Sequence, residues 1–130
     1  MHWSRIVDVP VGPLLLVLQP LFGQHVAETA ALLIVPGVTL LAIMALAGVI
    51  ASRHFARPAV IMTLLVLAVA VPVIVQTLPG RIDHHGWQIA LALGAVGSLL
   101  HRDRRKGGWL AGAALAVWMA ISFEGLPFSA

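Results

Sequence analysis

This chain of 130 residues has no cysteine and few charged side chains. Without cysteine it can form neither disulfide bonds nor a thiolate metal site. Only 10% of the residues are charged and 60% are hydrophobic, whereas an ordinary soluble domain has about 25% charged residues. Such a composition excludes a typical soluble domain, because the apolar side chains exceed what a core of this size could bury. It predicts a single membrane domain over residues 1–130, surrounded by lipid.

Long apolar runs separated by short polar segments predict an all-α integral membrane protein, because helices satisfy their own backbone hydrogen bonds in lipid. The first run, 11–22, is short: as a helix it reaches only about 18 Å, against a hydrocarbon core of about 30 Å. We therefore expect an interfacial or re-entrant helix there. Later runs predict about four transmembrane helices, with Gly107 and Gly108 forming the turn before the last one. These spans are residues 26–52, 59–78, 84–100 and 109–121.

Positive charge is concentrated in two of the predicted loops. Residues 53–57 and 101–106 contain six of the eight Lys and Arg residues. Since Lys and Arg in short loops mark the cytoplasmic side of a membrane protein, we expect both loops to be cytoplasmic. Loop 79–88 and both termini would then lie outside. This orientation also accounts for the net charge of +3, so we expect no nucleic-acid partner.

Acidic, basic and imidazole side chains crowd together at 80–88, between two apolar runs. Carboxylate and imidazole both bind divalent cations, and in the absence of sulfur Asp83 and His85 favour Mg2+ or Mn2+ over structural zinc. Residues i and i+2 share a face only in an extended segment, so these two converge only if the loop stays extended up to the helix. Alternatively, Asp83 merely caps the third span, and His84 and His85 are interfacial polar residues.

Other polar side chains are candidates for binding a phosphate-containing substrate. Arg81 is either a phosphate clamp, since guanidinium matches phosphate with two hydrogen bonds, or an ion-pair partner of Asp83. Gln88 either donates to a sugar or phosphate or satisfies backbone groups at the helix start. Arg5 and Trp3 either bind a lipid-phosphate headgroup or hold the N-terminus at the membrane interface.

Glu124 follows the last predicted span, on the same side as Asp83. It either shares a cavity with Asp83, as a second candidate catalytic residue, or is solvated at the end of the helix. The sequence contains no Gly-rich phosphate loop, no Ser-His-Asp order and no His-Glu-x-x-His motif.

Three segments resemble bacterial GT-C-type membrane glycosyltransferases, relatives of the oligosaccharyltransferase catalytic subunits and the polyprenyl-phosphate-sugar transferases. They are MHWSRIVDVP at 1–10, RIDHHGWQ at 81–88 and FEGLP at 123–127. The resemblance implies a multi-span enzyme of the bacterial inner (plasma) membrane that takes a sugar from a polyprenyl-phosphate carrier on the outer face. It also implies that Asp83 and His85 supply metal ligands, and that Arg81 and Gln88 line the site. Because the chain covers only part of the length of such enzymes, we expect a fragment, a truncated reading frame or one part of a split protein.

The leading hypothesis is a portion of a membrane glycosyltransferase in which Mg2+ or Mn2+ neutralises phosphate charge on the leaving group. The expected partners are membrane lipid, the polyprenyl-phosphate-sugar donor and a larger membrane protein or the rest of the enzyme. The alternative is a small non-catalytic membrane subunit, or a truncated inactive protein. Such a subunit would pack against larger partners through the Gly and Ala faces of its last two helices.

Overall fold

The computed structural model describes residues 5–122, which form one short 3-10 helix and six α-helices, with no strand among them. The 3-10 helix is Arg5–Asp8. The chain is therefore all-helical over these residues, as predicted. The α-helices are α1 (Val11–Phe22), α2 (Gln24–His54), α3 (Arg57–Val69), α4 (Val71–Gln76), α5 (His84–Leu99) and α6 (Arg104–Ile121).

The longest helix, α2, lies at the centre of the molecule and contacts α1, α3 and α5. Buried residues recur along it at every fourth position. Because four residues turn an α-helix by about 400°, this row winds about 240° around α2 from one end to the other. The row therefore faces several neighbouring helices in turn, and its small members let those helices approach closely. Its members are Ala27, Ala31, Val35, Thr39, Ile43, Ala47 and Ala51.

Helices α2 and α5 run parallel and meet at two glycines. A Cβ atom on Gly86 would lie 3.0 Å from Cγ2 of Thr39, and a Cβ atom on Gly97 would lie 2.9 Å from Cγ1 of Ile50. Because the contacts occur in the same order along both helices, α2 and α5 finish at the same end of the bundle. Both basic turns therefore lie at that end, whereas the loop at 77–83 lies at the other end of α5, beside the part of α2 between Leu32 and Thr39.

Helix α6 begins earlier than the sequence predicts. The predicted turn at Gly107 and Gly108 is wrong, because both glycines lie inside α6. Asp103 caps this helix by accepting hydrogen bonds from two N–H groups of its first turn, at 3.0 and 3.2 Å. Gly107 is needed for packing instead, since a Cβ atom there would collide with the carbonyl oxygen of Ser98 near the end of α5.

The apolar run 59–78 forms two helices and not one. The break is at Ala70, whose backbone is extended with φ of −69° and ψ of 102°. Helix α4 then starts with Pro72 in its first turn. Proline has no N–H and clashes with the carbonyl four residues before it, so the first turn of a new helix accommodates it better than a helix interior.

Among residues 5–122, α2 is the one helix that is long and apolar enough to cross a membrane, and α1 and α3 are shorter apolar helices. Large apolar side chains nevertheless remain exposed on several helices. Leu16 of α1, Val69 of α3 and Trp109 of α6 are 77%, 72% and 76% exposed. Exposed apolar surface on this scale indicates contact with lipid or with other proteins.

Candidate functional site at the start of α5

A backbone hydrogen bond holds the loop between α4 and α5 against α2. The N–H of Gly80 donates to the carbonyl oxygen of Leu32, with 2.8 Å between the two atoms. Gly80 has a φ of +85°, a left-handed value that glycine adopts far more readily than residues with a side chain. The chain then continues to Asp83, which caps α5.

Asp83 is the centre of the site, because its carboxylate contacts the residues two positions before and two positions after it, Arg81 and His85. Its Oδ1 accepts the backbone N–H of His85 at 3.0 Å, which is the bond that caps α5. Its Oδ2 accepts a hydrogen bond from Nε of Arg81 at 2.7 Å. Nδ1 of His85 lies 3.3 Å from Oδ1. We name Arg81, Asp83 and His85 the Asp83 cluster.

The backbone at Asp83 explains why side chains two positions apart meet. Its φ of −128° and ψ of 176° are extended, which is the condition for Asp83 and His85 to share a face. The cap on α5 is confirmed, and Asp83 also lies within 3.3 Å of His85 Nδ1, so cation binding by the two residues stays a prediction. The ion pair with Arg81 is present as well, yet the Arg81 side chain is 42% exposed, and a guanidinium has further N–H groups beyond Nε.

The surroundings of Asp83 favour its charged form. Partial burial raises the pKa of this carboxyl, but the hydrogen bonds from Arg81 and from the His85 N–H, with the charges of both residues, lower the pKa below its ordinary value of 3.8. The group is therefore ionised at neutral pH. An ionised carboxylate suits a cation ligand, whereas a general base works best with a pKa near the working pH.

His84 and Gln88 lie one turn apart on the buried side of α5, 5% and 8% exposed. The ring centroids of His84 and His85 are 4.1 Å apart. His84 therefore packs against protein, and the interpretation of both histidines as residues of the membrane interface stays a prediction. Gln88 is also buried, so a ligand that approaches the Asp83 cluster from outside meets Arg81 and His85 first.

The atoms of Asp83 and His85 fit two ligand positions of a divalent cation. Ligands about 2.1 Å from an ion stand about 3.0 Å apart across a right angle and about 3.4 Å apart across a tetrahedral angle. Oδ1 and Nδ1 are 3.3 Å apart. No group of three or more His, Asp and Glu side chains in the described part of the chain is placed to hold a metal ion. Oδ1 and Nδ1 are thus two candidate ligands, a number compatible with Mg2+ because that ion commonly retains water and binds substrate phosphates.

Three other predicted site residues cannot be compared with this geometry. Trp3 and Glu124 lie outside the described residues, and of Arg5 only the backbone, at the start of the 3-10 helix, is described. Their roles in substrate binding and catalysis stay predictions. The 3-10 helix itself contacts α6.

Two residues of α2 contribute to the site although the sequence did not single them out. The carbonyl of Leu32 holds Gly80, and Thr39 packs against Gly86 directly after the Asp83 cluster. Pro36, four residues after Leu32, is a local signal that this carbonyl lacks its helical donor, but nothing local indicates that Gly80 binds it, and Thr39 carries no signal.

Comparison with protein-family models, with characterised proteins and with solved structures found no match to this chain.

Proposed function

We propose that the chain is an integral membrane protein with four spans, formed by α2, by α3 with α4, by α5 and by α6. Helix α1 lies in the membrane interface. The exposed apolar side chains support contact with lipid. The two basic turns lie at one end of the bundle, which suits a cytoplasmic location for both. In this orientation the Asp83 cluster faces the outer side of the bacterial inner membrane.

We further propose that this protein is the donor-binding portion of a glycosyltransferase that uses a polyprenyl-phosphate-linked sugar. The observation that carries the proposal is the convergence of Arg81, Asp83 and His85, with 2.7 and 3.3 Å between their polar atoms. The resemblance of residues 81–88 to GT-C-type enzymes supports the same function.

Each member of the Asp83 cluster has a distinct role. Asp83 and His85 would hold Mg2+ or Mn2+, which would supply positive charge to neutralise the leaving phosphate. Arg81 binds a phosphate oxygen through the guanidinium N–H groups that do not face Asp83.

The transfer itself breaks the bond between the anomeric carbon of the sugar and the phosphate oxygen, and the electron pair stays on the phosphate. The acceptor bonds to that carbon and releases a proton. Because the lowered pKa of Asp83 makes it a poor base, Asp83 serves as a ligand and another group takes the proton. We propose Glu124, the second candidate catalytic residue of the sequence, for that role.

Mn2+ titration by calorimetry, with the protein in detergent micelles, tests the cation site. We expect the wild type to bind Mn2+ and Asp83→Ala to lose that binding. Asp103→Ala is the matched control, because Asp103 caps α6 through the same kind of hydrogen bond at the opposite end of the bundle. Equal binding by the wild type and Asp83→Ala would remove the cation site.

Binding to vesicles that contain polyprenyl phosphate tests the donor site. Arg81→Ala is expected to weaken binding, whereas Arg57→Ala, which removes a similar charge at the other end of the bundle, is expected to leave it unchanged. If Arg81→Ala bound polyprenyl phosphate as tightly as the wild type, the non-catalytic subunit would be the better interpretation.

A further inference from the structure

Pro36 lies inside α2 and changes the hydrogen bonding of one turn of that helix. In an α-helix, the carbonyl of residue i accepts the N–H of residue i+4. Proline has no N–H, so the carbonyl of Leu32 lacks its usual donor within the helix. A carbonyl of this kind must find another partner if it lies away from water.

The N–H of Gly80 is that partner, at 2.8 Å from the Leu32 oxygen. The loop residue thus fills the position that the N–H of residue 36 would fill in a helix without proline. The left-handed φ of Gly80, +85°, turns the chain at this point. The hydrogen bond joins the middle of one helix to a loop that is distant in sequence.

A second contact with the same region of α2 lies on the other side of the Asp83 cluster. Gly86 packs against Thr39 so closely that a Cβ atom on Gly86 would stand 3.0 Å from Cγ2 of Thr39. Leu32, Pro36 and Thr39 follow the i, i+4, i+7 spacing of one helix face. Arg81, Asp83 and His85 therefore lie between two points at which the chain is fixed to one face of α2.

We propose that Pro36 is a positioning residue for the Asp83 cluster, because it leaves the Leu32 carbonyl available to the loop. The effect on cation binding rests on the proposed function, whereas the effect on the loop does not. Replacing Pro36 by alanine supplies an N–H that takes the Leu32 carbonyl back into the helix. Gly80 then loses its acceptor, and the loop loses one of its two fixed points.

Hydrogen exchange at the Gly80 amide, followed by NMR in detergent micelles, tests the loop contact directly. We expect Pro36→Ala to raise the exchange rate of this amide by roughly five- to tenfold, the effect of losing one hydrogen bond. Pro20→Ala is the matched control, because Pro20 also lies inside a helix, α1, and should leave the Gly80 amide unchanged. If the Gly80 amide of Pro36→Ala exchanged at the same rate as that of the wild type, the proposal would be overturned.

Electron paramagnetic resonance of bound Mn2+ measures the Mn2+ affinity as a second readout. A gain in the stability of α2 would not by itself change this affinity. Pro36→Ala is expected to weaken Mn2+ binding by about tenfold, the usual effect of losing a group that orients a ligand, and Pro20→Ala is expected to bind as the wild type does. Faster exchange at Gly80 together with wild-type Mn2+ affinity would overturn the positioning role. Absence of Mn2+ binding by the wild type would refute the cation site instead, and exchange at Gly80 would still decide whether Pro36 holds the loop.

Discussion

The carboxylate of Asp83 stabilises the start of α5 and also sets the charge of the loop before it. Oδ1 accepts the capping hydrogen bond, and Oδ2 pairs with Arg81. Because the two oxygens have different partners, different substitutions separate the two roles. Asparagine keeps an acceptor for the cap but loses the negative charge, whereas alanine loses both.

Asp83→Ala should lower the free energy of unfolding by about 1 kcal/mol through loss of the cap, and Asp83→Asn should lose less of it. Neither variant should bind Mn2+, because both lack the charged ligand. Reversible unfolding in detergent micelles, together with Mn2+ titration, measures the two effects separately. Retention of Mn2+ binding in Asp83→Asn would show that the charge of Asp83 is not what binds the ion.

The stability that Asp83 contributes should depend on pH. Its pKa is lower in the folded protein than the ordinary value of 3.8, so the folded state binds fewer protons in the interval between the two values. The contribution is therefore complete above pH 3.8 and is lost as the pH falls through the folded pKa. The wild type should melt at a higher temperature than Asp83→Asn, and this difference should become smaller as the pH falls through the interval. A difference that grows on acidification would contradict the direction of the pKa shift.

At the scale of the helices, two glycines of α6 should respond to the same substitution in opposite directions. A Cβ atom on Gly107 would meet the carbonyl oxygen of Ser98, whereas one on Gly112 would meet nothing. Gly107→Ala should therefore lower the free energy of unfolding by about 1–3 kcal/mol. Gly112→Ala should raise it by about 0.5–1 kcal/mol, because alanine loses less backbone entropy in a helix. Equal effects in thermal unfolding would contradict the close approach at Gly107.

Local sequence features predicted the helices well where local chemistry determines them. The helix bounded by Pro10 and Gly23 was predicted at 11–22 and forms there, and the extended backbone at Asp83 brings His85 to it. Gly107 was interpreted wrongly as a turn residue, since its lack of a side chain serves a contact with α5 that no local pattern contains. The hydrogen bond to Leu32 was missed for the same reason, because its donor, Gly80, is distant in sequence.

At the scale of the whole molecule, the parallel packing of α2 and α5 separates two kinds of chemistry. Contacts at Gly86 and Gly97 fix the relative direction of the two helices. The basic turns follow the last residues of α2 and α5, and the Asp83 cluster lies at the first residues of α5, beside the middle of α2. By the positive-inside rule the basic turns should lie in the cytoplasm, and the Asp83 cluster should then face the outer side of the membrane.

Cysteine labelling in cells measures this orientation without interference, since the chain has no cysteine of its own. We expect an impermeant thiol reagent to label Pro79→Cys on intact spheroplasts, because position 79 is exposed in the loop before α5. Phe55→Cys and Arg102→Cys, at exposed positions in the two basic turns, should react only after lysis. Labelling of positions 55 and 102 from opposite sides would refute four spans with both basic turns in the cytoplasm. Labelling of position 79 only after lysis would place the Asp83 cluster inside the cell, where it could not meet a lipid-linked sugar presented on the outer face.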